Sequence, residues 1–109
     1  MKSEQQVRSA LADLKVRLTS LLGPALLKLL LFGSRARGDA DPDSDIDVAV
    51  VVRGLDPALK RRILTEVADV EIDHLMPLST LILSEEELRR LKDRERRIAL
   101  DIEGEGIPL

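Results

Sequence analysis

Two apolar runs separated by an acidic loop constrain the fold of this chain more than any other feature. Residues 26–32 and 46–52 are short series of mostly Leu, Ile and Val, and the second run is rich in β-branched side chains. Runs of this length and composition predict buried strands. Between them lie a Gly-Ser pair, two arginines and aspartates at alternate positions from Asp39 to Asp45, and Asp47 continues this alternation within the second run. The pattern therefore places a dense set of charges at one end of a sheet.

Three helices are predicted from N-terminal capping residues followed by apolar positions at helical spacing. They run from Ser3 to Leu22, from Pro57 to Ala68 and from Glu85 to Ile102. In the last helix, acidic residues precede arginines by four positions in the pairs Glu85–Arg89, Glu86–Arg90 and Asp93–Arg97. This spacing is typical of an exposed helix whose charges pair with one another, and a partner-docking face is the alternative.

A third strand is predicted from Val70 to Met76, where side chains alternate between two faces until Pro77 ends the run. On this reading Asp73 faces one side, and His74, the chain's one histidine, faces the other as a structural residue. Helices alternating with strands predict an α/β (α+β) fold, a small mixed sheet flanked by helices, with residues 1–109 forming a single domain.

Composition narrows the possible functions. The net charge is −3 and Phe32 is the only aromatic residue, which argues against direct nucleic-acid binding and against base-stacking platforms. The chain has no cysteine, which excludes disulfides and thiolate metal sites. No apolar stretch is long enough to span a membrane, and the first residues do not resemble a signal peptide. We expect a soluble cytoplasmic protein.

Asp45 and Asp47 bracket Ile46 at the start of the second strand, so strand geometry points both carboxylates to one face. Two nearby carboxylates repel each other unless a cation lies between them. Mg²⁺ suits such a pair because it binds through one or two carboxylates together with substrate phosphates. Asp73 is the predicted third ligand, and Glu71 is its competitor. A solvated acidic turn is the alternative interpretation of the aspartates.

The Gly33-Ser34 pair directly after the first strand is the candidate phosphate site. Glycine lets the backbone approach a phosphate closely, and the residues that follow can open a short helix with free N–H groups. Arg35 and Arg37 come next and are candidate phosphate ligands.

These motifs resemble the signature of the minimal nucleotidyltransferases of the DNA polymerase beta superfamily. The resemblance rests on Gly33-Ser34, Ala36-Arg37-Gly38 and Ser44-Asp45-Ile46-Asp47, and the terminal IEGEGIPL is similar to the family's usual close. It implies that Asp45, Asp47 and Asp73 are the catalytic carboxylates, with two Mg²⁺ ions as cofactors and ATP as substrate. The tyrosine found near the end of many members is absent, and Pro108-Leu109 stand there instead.

Stand-alone domains of this kind resemble the antitoxins of HEPN–MNT toxin–antitoxin pairs, which adenylylate a tyrosine of the HEPN ribonuclease. The resemblance therefore implies transfer of AMP from ATP to a HEPN toxin. An aminoglycoside-type adenylyltransferase is a second interpretation, although those enzymes usually carry an additional substrate domain that 109 residues leave no room for. A binding module that inhibits its partner sterically is a third.

Overall fold

Helices and strands alternate along the chain in the computed structural model, which describes residues 3–38, 45–94 and 96–109 without the side chains of Ser34 and Arg37. In chain order the elements are α1 (Glu4–Leu22), β1 (Leu26–Phe32), α2 (Ser34–Arg37), β2 (Asp47–Val52), α3 (Pro57–His74), β3 (Ser79–Ser84), α4 (Glu85–Asp93), α5 (Arg97–Glu105) and β4 (Ile107–Pro108). A 3₁₀ turn joins α1 to β1. The predicted α/β class and the bounds of β1 are confirmed.

The strands of the described residues form one mixed sheet in the order β3-β2-β1-β4. Strand β2 runs antiparallel to β1 and parallel to β3, while β4 pairs antiparallel with the outer edge of β1. In this register Asp47 lies opposite Phe32 on one side and opposite Ser79 on the other. The end of β1 and the starts of β2 and β3 therefore meet at one end of the sheet.

Helices cover both faces of β2. Val48, Val50 and Val52 are buried in the main core with side chains of α1 and α3, whereas Ala49 and Val51 are buried in smaller clusters with side chains of α4 and α5. Because side chains of a strand alternate between faces, Asp47 shares the α5 side of the sheet with these last two residues.

The helix starts agree with the capping signals in the sequence. Both predicted capping boxes form with their two reciprocal hydrogen bonds, one between Ser3 and Gln6 and one between Ser84 and Glu87. At the start of α3, the Asp56 carboxylate accepts a hydrogen bond of 2.7 Å from the Leu59 amide.

The strand predicted from Val70 to Met76 is wrong, because α3 continues to His74 and the next strand is β3. The residues of the run also fit a helix: Val70 is buried three positions after buried Val67, whereas Ile72, placed on the same face by the strand pattern, is 69% exposed. A short apolar run fits the apolar spacing of a strand as well as that of a helix, and packing against α1 favours the helix. Leu75 ends the helix in the left-handed region with φ 50°.

The predicted helix from Glu85 to Ile102 is two helices, since α4 ends at Asp93 and α5 begins at Arg97. The pairs Glu85–Arg89 and Glu86–Arg90 form within α4, with N–O distances of 3.4 and 3.8 Å. The break removes the helical spacing expected between Asp93 and Arg97. Arg97 instead lies 4.0 Å from Asp101 within α5.

Candidate active site

Gly33 lies directly against the carboxylate of Asp47. It follows the last residue of β1 with φ 75°, a conformation that side-chain-bearing residues rarely adopt. A Cβ atom added to Gly33 would overlap Oδ2 of Asp47. Both the backbone angle and the close approach therefore require glycine, and they fix the turn after β1 beside the first residue of β2.

A buried isoleucine anchors the two aspartates at the start of β2. Ile46 is fully buried, and its carbonyl oxygen accepts a hydrogen bond of 2.9 Å from the Ser79 amide at the start of β3. Asp47 is half-buried beside Gly33, and Asp45 is exposed. The two aspartates thus flank Ile46, a residue held by burial and by a backbone hydrogen bond at the end of the sheet.

The candidate phosphate-binding residues form the turn and the short helix α2 after β1. Gly33 lies next to Asp47, and Arg35 is half-buried in α2. The side chains of Ser34 and Arg37 lie outside the described residues, as do residues 39–44 of the acidic loop. The structure therefore joins the Gly-Ser turn to the D-x-D pair through the contact between Gly33 and Asp47.

Asp73 is not brought to Asp45 and Asp47. It lies near the end of α3, in the helical layer on the opposite side of the sheet from Asp47, and its carboxylate accepts a hydrogen bond of 2.8 Å from Arg17. Within the described ranges, no group of three acidic, histidine or cysteine residues could hold a metal ion. The prediction that Asp73 joins the site depends on a strand from Val70 to Met76, and Asp73 lies in helix α3 instead.

Glu71, the other candidate for the third carboxylate, has a structural contact. Its carboxylate accepts a hydrogen bond of 2.9 Å from the Leu78 amide and so fixes the segment between α3 and β3. The β3 residue opposite Asp47 is Ser79, which bears a hydroxyl group where a carboxylate was expected on the neighbouring strand.

Arg17 is the centre of a charge network between α1 and α3 that the sequence pattern did not indicate. Its guanidinium lies 3.0 Å from Asp13, 3.4 Å from Glu66 and 2.8 Å from Asp73. His74 contacts the other oxygen of Asp13 at 3.0 Å. The hydrogen bond with His74, together with Arg17, holds the pKa of Asp13 below its usual range.

A cavity of about 530 Å³ adjoins Asp47 on the α5 side of the sheet. Its lining comes from the end of β1, the starts of β2 and β3, and α5: Phe32, Gly33, Asp47, Ser79, Thr80, Leu81, Arg97, Ile98 and Asp101. The α5 residues lie about 50 positions after Asp47 and form no motif with it. Sequence reasoning missed them because the charges of this segment fit an exposed, self-paired helix.

The donors at Asp45 and Asp47 fit a magnesium ion. Carboxylate oxygens are the hard ligands that Mg²⁺ prefers, and one or two of them suffice when phosphates and water complete the coordination. The close contact of Gly33 with Asp47 leaves no side chain between the phosphate turn and the carboxylate. Asp45 and Asp47 are therefore the residues that would hold the ion.

The mixed sheet carries the Gly-Ser turn at the end of β1 and the D-x-D pair at the start of β2. The chain belongs to the nucleotidyltransferase domain family, whose model matches residues 11–103. This confirms the resemblance drawn from the Gly-Ser and D-x-D motifs.

The chain is similar to the protein named "Putative protein adenylyltransferase MJ0141" of Methanocaldococcus jannaschii, with 35% identity over 57 residues. The match covers 52% of this chain and 57% of that protein, so the chain spans little more than half the length of the curated relative it matches.

Two solved structures are similar to this chain, and the first of them shares its fold. A crystal structure of a toxin–antitoxin with AMP-PNP is 21% identical with a TM-score of 0.53, covering 88% of this chain and 69% of that one. A "putative nucleotidyltransferase" from Sulfolobus solfataricus is 24% identical with a TM-score of 0.45, covering 98% of this chain and 87% of that one. In the part of the chain that the structure describes, no helix has the length and apolar character needed to cross a bilayer.

Proposed function

We propose that this nucleotidyltransferase is a protein adenylyltransferase that moves AMP from ATP to a tyrosine hydroxyl of a HEPN-type toxin and thereby acts as its antitoxin. The observation that carries the proposal is the contact of Gly33 with Asp47, which joins a phosphate-type turn to a carboxylate pair in a chain of this family. The name of the relative from M. jannaschii supports protein adenylylation, and the toxin–antitoxin structure has the same fold.

The residues at the sheet end supply what this transfer requires. The turn at Gly33 admits the triphosphate because no side chain projects from it toward Asp47. Asp45 and Asp47 would hold Mg²⁺, which when bound neutralises phosphate charge and activates the acceptor hydroxyl. The acceptor oxygen then bonds to the α-phosphorus, the bond from the α-phosphorus to pyrophosphate breaks, and the hydroxyl proton leaves to solvent. Ile46 keeps both carboxylates in place by its burial.

A separate protein as acceptor agrees with the composition of the chain. These 109 residues contain no tyrosine, so the proposed acceptor tyrosine lies outside them. AMP on a tyrosine near a ribonuclease centre adds bulk and a negative phosphodiester where RNA phosphates must bind. Both effects oppose RNA cleavage, which gives the transfer an inhibitory result.

The test is to incubate the protein with Mg²⁺, labelled ATP and the product of the adjacent gene, and then to map any modification by mass spectrometry. We expect AMP on a tyrosine of that product, and no AMP when Asp45→Asn replaces the wild type. The matched control is Asp93→Asn, an exposed substitution of the same kind on α4.

Two other results would contradict the proposal. Label transferred only to aminoglycosides would indicate a small-molecule adenylyltransferase. Inhibition of the toxin by the Asp45→Asn protein, with no label on any tyrosine, would indicate a steric inhibitor.

A further inference from the structure

The cavity beside Asp47 is built from two kinds of surface. Its apolar part consists of Phe32 and Leu81 from the sheet and Ile98 from α5. Its polar part is lined by Ser79, Thr80, Arg97 and Asp101. Apolar walls with a few polar groups are typical of sites that bind small organic molecules, and about 530 Å³ lies within the usual range of such sites.

The position of the cavity indicates which part of a substrate it can hold. Gly33 and Asp47 line the cavity and also form the site proposed for the triphosphate and its metal ion. A nucleoside is joined to the α-phosphate by a single ester bond, so it must lie next to that site. The cavity is continuous with the site, and Phe32, the chain's only aromatic residue, is part of its lining.

Asp101 gives the cavity an acceptor for the donor groups of a nucleoside. Its side chain is 29% exposed, and its ion pair with Arg97 is long, with 4.0 Å between Nε and Oδ1. A carboxylate accepts several hydrogen bonds, and ribose hydroxyls and exocyclic amines are suitable donors. Arg97 is 92% exposed at the rim, where its guanidinium can stack on a planar base.

We propose that the cavity between α5 and the starts of β2 and β3 binds the nucleoside of the triphosphate substrate, with Asp101 accepting hydrogen bonds from it. The proposal rests on the proposed function, since it takes the triphosphate to lie at Gly33 and Asp47. It assigns to α5 the recognition of the nucleoside, whereas the end of the sheet holds the phosphates.

The experiment compares two ligands that share the phosphates and differ in the nucleoside. The full-length protein is titrated calorimetrically with ATP and with inorganic tripolyphosphate, each in the presence of Mg²⁺. Ile98→Trp fills the cavity, and Leu100→Trp is its control because Leu100 is exposed on the same helix and does not line the cavity. Asp101→Ala removes the acceptor, and Asp93→Ala on α4 is its control.

We expect Ile98→Trp and Asp101→Ala each to weaken ATP binding by about tenfold or more, the effect of losing one good contact to a charged group or a filled site. Tripolyphosphate binding should stay within about twofold of the wild type, as expected for surface changes away from the phosphates. Both control variants should bind both ligands as the wild type does.

Three results would overturn the proposal. An unchanged ATP affinity in either cavity variant overturns the part of the proposal that the variant tests, and the proposed function then stands. An equal loss for ATP and for tripolyphosphate shows that the cavity residues act on the phosphates or the fold. A wild-type protein that binds neither ligand contradicts the proposed function itself, and the nucleoside site with it.

Discussion

The guanidinium of Arg17 on α1 lies 2.8 Å from the carboxylate of Asp73 on α3, within the helical layer opposite the Asp47 side of the sheet. We therefore expect Asp73→Asn to leave the rate of AMP transfer within about twofold of the wild type, as for a surface substitution. Thermal stability should fall only slightly, because Arg17 keeps its pairs with Asp13 and Glu66. Transfer assays and thermal unfolding check both expectations. A large loss of transfer by a folded Asp73→Asn protein would return Asp73 to the active site.

Gly33→Ala tests the contact that joins the phosphate turn to the metal carboxylate. The variant forces a side chain into the left-handed region and into the Asp47 carboxylate, so it should lose both stability and transfer. Gly54→Ala is the matched control, because Gly54 has φ 69° and open space where an added Cβ atom would lie. We expect each variant to lower the free energy of unfolding by about 1 kcal/mol or more.

The two glycine variants should differ in activity. Only Gly33→Ala should lose AMP transfer, measured at a temperature where both variants are folded. Equal activity of the two variants would show that the position of Asp47 does not depend on the turn after β1.

The loss of folding stability at acidic pH should depend on Asp13. Its pKa lies below the usual range because of the hydrogen bond with His74 and the neighbouring Arg17. A carboxyl with a lowered pKa in the folded state stabilises the fold above its unfolded pKa of about 4, and this stabilisation is lost as the pH falls further. Asp13→Asn should therefore destabilise the protein at neutral pH and flatten the decline of stability in acid.

Denaturant unfolding at about pH 7 and about pH 3 measures this difference. Asp93→Asn, an exposed change on α4, should keep the acid dependence of the wild type. An identical acid dependence in Asp13→Asn would show that the network around Arg17 does not couple protonation to folding. Glu103 is a second contributor, because the hydrogen bond from Lys28 lowers its pKa in the same direction.

The sequence predicted the parts of the structure whose signals are local. Strand β1 ends where its apolar run meets Gly33, and the capping boxes at Ser3 and Ser84 fix the starts of α1 and α4. The end of α3 was not predictable from alternation, because Val70 fits both a strand and a helix and only its packing decides between them. The helix ends at His74 and is capped by Leu75, without the glycine that usually marks such an end.

The same distinction applies to the site. Gly33, Asp45 and Asp47 lie within 15 residues at the adjoining ends of two paired strands, so their spacing already indicates their proximity. The cavity depends on Arg97 and Asp101, which reach the sheet end only through the packing of α5. No periodic pattern in the sequence indicates that contact. The predicted position of Asp73 is wrong for a related reason. It depends on the strand predicted from the short run Val70–Met76, most of which is helical.

The central claim, that Asp45 and Asp47 hold Mg²⁺ for nucleotidyl transfer, is tested most directly by the Mg²⁺-dependent rate of AMP transfer in wild type and Asp47→Asn. We expect a loss of at least about a hundredfold in the variant, because several kcal/mol of charge stabilisation are lost with the metal ligand. The fold should be retained, and without Mg²⁺ the variant should be slightly more stable because the repulsion between the two carboxylates is relieved. Undiminished transfer by a folded Asp47→Asn protein, or transfer by the wild type that survives chelation of Mg²⁺, would contradict the account.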